Sequence, residues 1–372
     1  MKKFALLVCA ALAGTTLAQS AQAAGIPRSQ WRPFFTTLPA RGVDTASLEF
    51  QAAASATIPF FANKVTSPLD HKTYQFQIVG ADPTKAKVTT NVQYVPITLR
   101  LHFSDGTVLD PTKPGCSDTV SVSQRFFQSP LFQNQSQTSN GIAVGNTQVI
   151  DAFQRAEFWK YVSGTNYHTL LVTSLSPRVI DVTAPSGSVT QSGACAGKAH
   201  NLGEIDINAY DSILQQITNR YAATTQVPVI MAYNVVLTQG GGCCIIGYHS
   251  AYGRSSGTQV YATGAYTDKG IFSGGIADIH AWSHELGELF NDPFVNNATP
   301  GWGHIGQVSG CQNNFETGDP LTGTAYLLTH NGFTYHPQEQ AFFDWFYRTP
   351  SAGTGGKYSF EGTFKSAQGT CF

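Results

Sequence analysis

The segment Ser283-His284-Glu285-Leu286-Gly287-Glu288-Leu289 places an imidazole and two carboxylates within one and a half helical turns. Residues i and i+4 of an α-helix share a face about one turn apart. His284 and Glu288 therefore project side by side and can grip one divalent cation. Glu285, rotated about a quarter turn from His284, can bring its carboxylate over a water on that cation and act as a general base. Ile279, Trp282, Leu286, Leu289 and Phe290 form an apolar stripe for a core, while His280, His284 and Glu288 stack along another face. His280 reads first as an ordinary hydrogen-bonded histidine. A ligand role in a His280/His284/Glu288 set is the alternative, although three ligands on one straight helix converge poorly on an ion.

The same spacing underlies the HExxH zinc peptidases, with Glu288 here in place of the second histidine. Carboxylate oxygen is an accepted zinc ligand. Each anionic ligand reduces the charge that acidifies a bound water, and a carboxylate-rich set makes calcium or manganese competitors of zinc. A catalytic zinc site takes three protein ligands and keeps a position open, so a third ligand must come from outside the helix. Glu316 and Asp319, in Glu316-Thr317-Gly318-Asp319, are the candidates. Whichever does not ligate would orient His284 through its other ring nitrogen. His304, in Gly301-Trp302-Gly303-His304-Ile305-Gly306, competes for the third place. His249, Tyr248 and Tyr252 precede the helix in a glycine-rich strand or loop; one of them could polarise a scissile carbonyl, though a structural role is the simpler reading. The pattern admits a metallopeptidase with Glu285 as general base. It also admits a non-catalytic extracellular protein that keeps its ion for folding.

Around this helix the chain resembles the plant exordium (phosphate-induced) proteins. The resemblance rests on Ser283 to Leu289, Asn291-Asp292-Pro293, Val295-Asn296, Trp302, the Glu316-to-Asp319 element, and the upstream cysteine loop with Gly247-Tyr248-His249. It covers about residues 225 to 325 and departs from the family pattern at Gly287, Asp292 and Pro320. What it implies is an extracellular, wall- or surface-associated protein.

The elements that must position these groups are readable from periodicity. Residues 25 to about 47 look like an extended lead-in. From about 48 to 190 the chain reads as strands and turns, with Tyr74 to Val79 and Val95 to Phe103 alternating apolar and polar residues. One helix, near Val149 to Tyr161, interrupts them; Asp151, Arg155 and Glu157 on it read as a surface or interdomain charge group. Tyr210, Ile213, Leu214, Ile217 and Tyr221 mark an amphipathic helix begun near Asp206 or Asn208. A β-branched run follows from Val227 to Leu237, then a Gly-Gly-Gly-Cys-Cys loop, a strand around Gln259 to Tyr266, the site helix from about Ile276 to Asn291, and an aromatic helix near Gln338 to Tyr347. The expected fold class is α+β, with a β-rich region over 25–195 followed by a zincin-like mixed α/β domain over 196–372 with a loop-rich tail.

Lys2 and Lys3, the apolar run Phe4 to Leu17 and Ala21-Gln22-Ala23 form the pattern of a secretory signal peptide over 1–24. The expectation is a secreted, periplasmic or cell-surface protein without a transmembrane segment after cleavage. Charged residues make up only 12% of the chain and the net charge is −1, which gives no electrostatic footprint for nucleic acid. A peptide or protein substrate, or a wall or surface component, is the expected partner. Of seven cysteines, Cys9 lies in the leader; the others suit disulfides in an oxidising compartment. Adjacent Cys243 and Cys244 are expected to bond to different partners. A carbohydrate-active reading would rest on pairs such as Glu204 and Asp206, which are too generic to carry it.

Overall fold

The computed structural model describes residues 32–43 and 57–371, apart from 117, 186, 196 and 197. The leader expected over 1–24 lies outside the described residues. The alternating run around Val95 to Phe103 sits on a 14-residue strand, Thr89–His102, which joins an 11-stranded mixed sheet. In chain order its strands are β1 (Phe34–Thr37), β2 (Thr89–His102), β3 (Val108–Leu109), β4 (His168–Val172), β5 (Arg178–Thr183), β6 (Ser188–Cys195), β7 (Lys198–Asp206), β8 (Val227–Tyr233), β9 (Val235–Gln239), β10 (Gly242–Arg254) and β11 (Gly257–Tyr266). Laterally they run β6-β7-β9-β10-β11-β8-β2-β3, with β1 against β10, and β4 and β5 against β2. The sheet curls, and the protein is mixed α/β and strand-rich. β8 lies parallel to both β2 and β11. A parallel strand covered on both faces is apolar throughout, as Val227 to Ala232 are.

Among the described residues the helices of five or more residues are α1 (Val122–Phe127), α2 (Val149–Glu157), α3 (Ile207–Tyr221), α4 (His280–Asn291) and α5 (Phe343–Tyr347). Successive strand residues point to opposite faces, and this sorts the core into layers. Val229, Met231, Val260 and Ala262 pack with Trp282, Leu286, Leu289 and Phe290 of α4. Ile230 and Tyr261 pack with Tyr210, Leu214 and Ile217 of α3 on the other side. α3 starts at the expected place because Asp206 Oδ1 accepts from the amides of Asn208 (2.9 Å) and Ala209 (3.1 Å). α4 starts four residues later than its periodicity suggests. Asp278 pairs with Thr267 and sits at φ 43°, in the left-handed region, so the helical backbone cannot run through it. The helix ends at Asn291, just before Pro293, as expected.

Three expectations meet a different outcome or setting. The expected boundary near 195 lies between β6 and β7, which pair antiparallel, and the sheet draws strands from both sides of it. Asp151, Arg155 and Glu157 are buried rather than a surface group. Their charges satisfy nearby groups: Asp151 accepts from Thr147 Oγ1 (2.6 Å) and Thr169 N (2.5 Å), Arg155 Nε donates to Val144 O (2.7 Å), and Glu157 accepts from Phe343 N (2.6 Å). Cys243 and Cys244 are bonded to each other, not to separate partners; a second disulfide joins Cys311 and Cys371. Phe343, Trp345, Phe346 and Tyr347 belong to an aromatic core with Trp302 and Phe315, and Phe342 packs in another with Phe153 and Phe360, which agrees with leaving them no chemical role. No helix among the described residues is long and apolar enough to cross a membrane.

Candidate metal centre

Every residue of α4 is buried, so the face that carries His284 and Glu288 looks into the protein. His284 and Glu285 are fully buried, and Glu288, Glu316 and Asp319 are at most 7% exposed. His284 Nε2 lies 3.0 Å from Glu288 Oε1 and 3.5 Å from Asp319 Oδ1. Tetrahedral zinc with bonds of about 2.0–2.2 Å keeps neighbouring ligand atoms roughly 3.3–3.6 Å apart. These three residues could therefore hold one ion with little rearrangement. The buried Nε2 makes no hydrogen bond of acceptable geometry. It is held instead at ion-pair distance from Glu288 Oε1, a place that a cation among the three donors would take over.

His284 is oriented by a residue that sequence reasoning missed. Its Nδ1 is 3.1 Å from Gln338 Oε1, while Gln338 Nε2 donates to Gly318 O (2.6 Å) and Gln338 N to Ser283 Oγ (2.8 Å). The amide bond to Gly318 fixes which end of Gln338 is oxygen. That oxygen accepts a hydrogen bond from Nδ1–H, which leaves the Nε2 lone pair for a cation. Neither Glu316 nor Asp319 performs this orientation, contrary to expectation. Glu316 accepts from Asn314 Nδ2 (3.0 Å) and lies outside the grouped donors. Asp319 is held by Gln307 Nε2 (2.5 Å) and Gln312 Nε2 (3.3 Å).

The strand side of the centre comes from β10. Alternation sends Tyr248 toward α3, where its hydroxyl reaches Asp211 Oδ1 (3.0 Å), and sends His249 toward α4. Tyr252 also points away, donating to Asn219 Oδ1 (3.1 Å), so neither tyrosine faces the cluster. His249 Nδ1 lies 3.3 Å from Glu285 Oε2 and 3.8 Å from Glu288 Oε2. His249, Glu285 and Glu288 form a second group able to hold an ion, and Glu288 belongs to both. Glu285 Oε1 and His249 Nε2 have no hydrogen-bond partner.

Burial, then the charge of Glu288, then that of Asp319 push the Glu285 carboxyl well above its ordinary range. Burial and Glu288 likewise raise Glu316, and they bring Asp319 to about 7. Burial opposes charge on His284, but Glu288, Asp319 and Gln338 together outweigh it and the pKa is raised. Burial would also raise Glu288, but neighbours led by His284, with His249 among them, together outweigh it and hold that carboxyl low. Burial lowers His249 to about 4, and burial followed by His284 lowers His280 to about 3. Without a cation the cluster thus resists ionisation at three carboxyls, as expected where anionic groups crowd away from water.

Two glycines make the packing possible. A Cβ on Gly318 would stand 2.3 Å from His284 Nδ1, and one on Gly287 would stand 2.0 Å from Gln340 Oε1. Gln340 bonds Ser283 O through its Nε2 and accepts from Thr317 Oγ1 (2.9 Å), tying the helix to the loop that carries Asp319. Gly287 thus gives up helix propensity for close approach. Gly318→Ala should push the His284 ring off Gln338 and weaken cation affinity by about 10–100-fold. The fold should survive, which competition with a chromogenic chelator alongside far-ultraviolet circular dichroism would check.

His304 is exposed and does not group with the α4 residues. Its Nε2 is 3.8 Å from Cys311 Sγ, and the Cys311–Cys371 disulfide leaves no thiolate there for a metal. Asp206 serves as the cap of α3. A cavity of about 760 Å³, lined by Asp118, Asp268, Asp278 and His336, includes none of the cluster residues. It is roomy but is not the cluster's own cleft. Comparison of the chain with protein-family models, with curated proteins and with solved structures finds no match.

Proposed function

We propose that the protein is an exported, zinc-dependent hydrolase of peptide bonds with a zincin-like domain around α4. His284, Glu288 and Asp319 would hold the ion, with zinc favoured over calcium or manganese by the imidazole ligand and the short spacing of the donors. A divalent cation there supplies Lewis acidity, making a water more acidic and polarising a carbonyl. Glu285 takes a proton from the attacking water and passes it to the leaving amine. His249, 3.3 Å from Glu285, positions that carboxylate from the strand side. The Gly318 amide holds Glu288 in place by donating to its Oε1 (3.0 Å). The observation that carries the reading is the Nε2 of His284: fully buried and set between two carboxylates, 3.0 Å from Glu288 Oε1 and 3.5 Å from Asp319 Oδ1.

A second reading, a non-catalytic extracellular protein of exordium type that uses its ion for folding, is favoured by the complete burial of the donors. Its surroundings would be a wall or cell-surface component. Incubating the mature protein with a mixed peptide library separates the two. Cleavage that a chelator stops and zinc restores supports the hydrolase. A metal-loaded protein that cuts nothing, even after the N-terminal strand is released, supports the structural ion.

A further inference from the structure

The cluster is covered by the chain's own N-terminal strand. β9 pairs with β10 only at Leu237/Ile245 and Gln239/Gly242. Beyond that, the edge of β10 away from β11 is taken by β1, which runs parallel with Thr36 opposite Tyr248 and Thr37 opposite His249. Pairing continues to Arg41, whose N donates to Ala251 O (3.1 Å) and whose O accepts from Gly253 N (2.9 Å). Phe35 is 3% exposed, and its ring stacks on the His284 imidazole with centroids 3.5 Å apart and planes 13° from parallel. Its backbone is gripped at both ends by one side chain: Phe35 N donates to Gln307 Oε1 (2.8 Å), and Gln307 Nε2 donates to Phe35 O (3.0 Å). The same Gln307 holds Asp319. One amide therefore links the covering strand to the proposed third ligand.

Strand pairing and the Gln307 clamp read backbone, while the Phe35 position reads an aromatic ring. These are the features with which a sheet edge takes up an extended peptide: main-chain bonds give affinity and alternate side chains give selectivity. We infer that the β10 edge beside His249 is a binding site for an extended peptide with an aromatic residue over His284, and that residues 34–41 occupy it and close the metal centre. The binding site stands on the geometry of β1, β10 and Gln307. That a bound peptide would be cut rests on the hydrolase reading.

The test uses the full mature chain, loaded with zinc, with a recognition sequence for a site-specific protease placed within 44–56. Cutting there and washing out the released segment should speed zinc transfer to excess chelator by at least about tenfold, the scale of losing one aromatic stack with its hydrogen bonds. A synthetic peptide of residues 32–43 should bind the cut protein and restore the slow rate; the same peptide carrying Phe35→Ala should bind more weakly. Faster transfer with no peptide hydrolysis would uphold the binding site and count against the hydrolase. An unchanged transfer rate together with no binding of the added peptide would overturn the inference, whatever the hydrolytic result. Phe35→Ala in the uncut chain gives a second test should the cut protein unfold: its zinc transfer should also quicken, and a wild-type rate would contradict the stacking role.

Discussion

Glu285→Gln should abolish chelator-sensitive peptide hydrolysis while leaving the bound metal in place. The substitution keeps the size and polarity of the side chain but removes its ability to take a proton. A positioned general base contributes about 10²–10⁴-fold to rate, so the residual turnover should fall by that factor. The ion should stay, because His284, Glu288 and Asp319 are untouched and group without Glu285. Metal content and hydrolysis must be measured on the same preparation. Equal turnover by both proteins would reject Glu285 as the base. Loss of metal along with activity would move Glu285 into the ligand set, on the side where it meets His249 and Glu288.

Removal of the ion should destabilise the fold strongly. A ligand present at about 1,000 times its dissociation constant stabilises by roughly 4 kcal/mol, so stripping it should lower the melting temperature by roughly 5–10 °C. The stripped protein should also lose stability as pH rises through about 7. Glu285, Glu316 and Asp319 have folded-state pKa values raised by burial and by Glu288. A carboxyl raised in this way contributes stability below its unfolded pKa and loses it as pH climbs through the folded one. His249 and His280, lowered by burial, act in the opposite direction. Their contribution is nearly complete by about pH 7, where unfolded histidines have mostly lost their protons. The metal-loaded protein should show no such decline. Differential scanning calorimetry at several pH values, with and without chelator, checks both effects.

The part of the site that lies on one helix was legible in the sequence because helical geometry is local. His284 and Glu288 are one turn apart wherever the chain folds as α4, and the apolar stripe Trp282, Leu286, Leu289 and Phe290 fixes which side meets the sheet. Glu316 and Asp319 were readable as a pair but not in rank. Asp319 is drawn toward His284 by Gln307 and Gln312, and amide side chains carry no periodicity from which such contacts could be read. Gln338 and Phe35 were invisible for the same reason. They meet His284 from 54 positions later and about 250 positions earlier, through tertiary packing alone. His249 stood out by type, but its face depended on the register of β10. Most strands and helices followed their patterns, but α1 was not foreseen, the aromatic helix covers only Phe343–Tyr347, the cysteine loop already belongs to β10, and the extent of the sheet was not legible. Only pairing shows that β2 and β8, far apart in the chain, are neighbours.

The most direct test is elemental analysis of the mature protein, purified without added chelator, beside His284→Ala. The expected result is about one equivalent of a divalent metal, zinc foremost, in the wild-type protein and almost none in the variant. A folded wild-type protein that carries no metal and takes none up from zinc-containing buffer would contradict the proposal that these buried residues are a cation site.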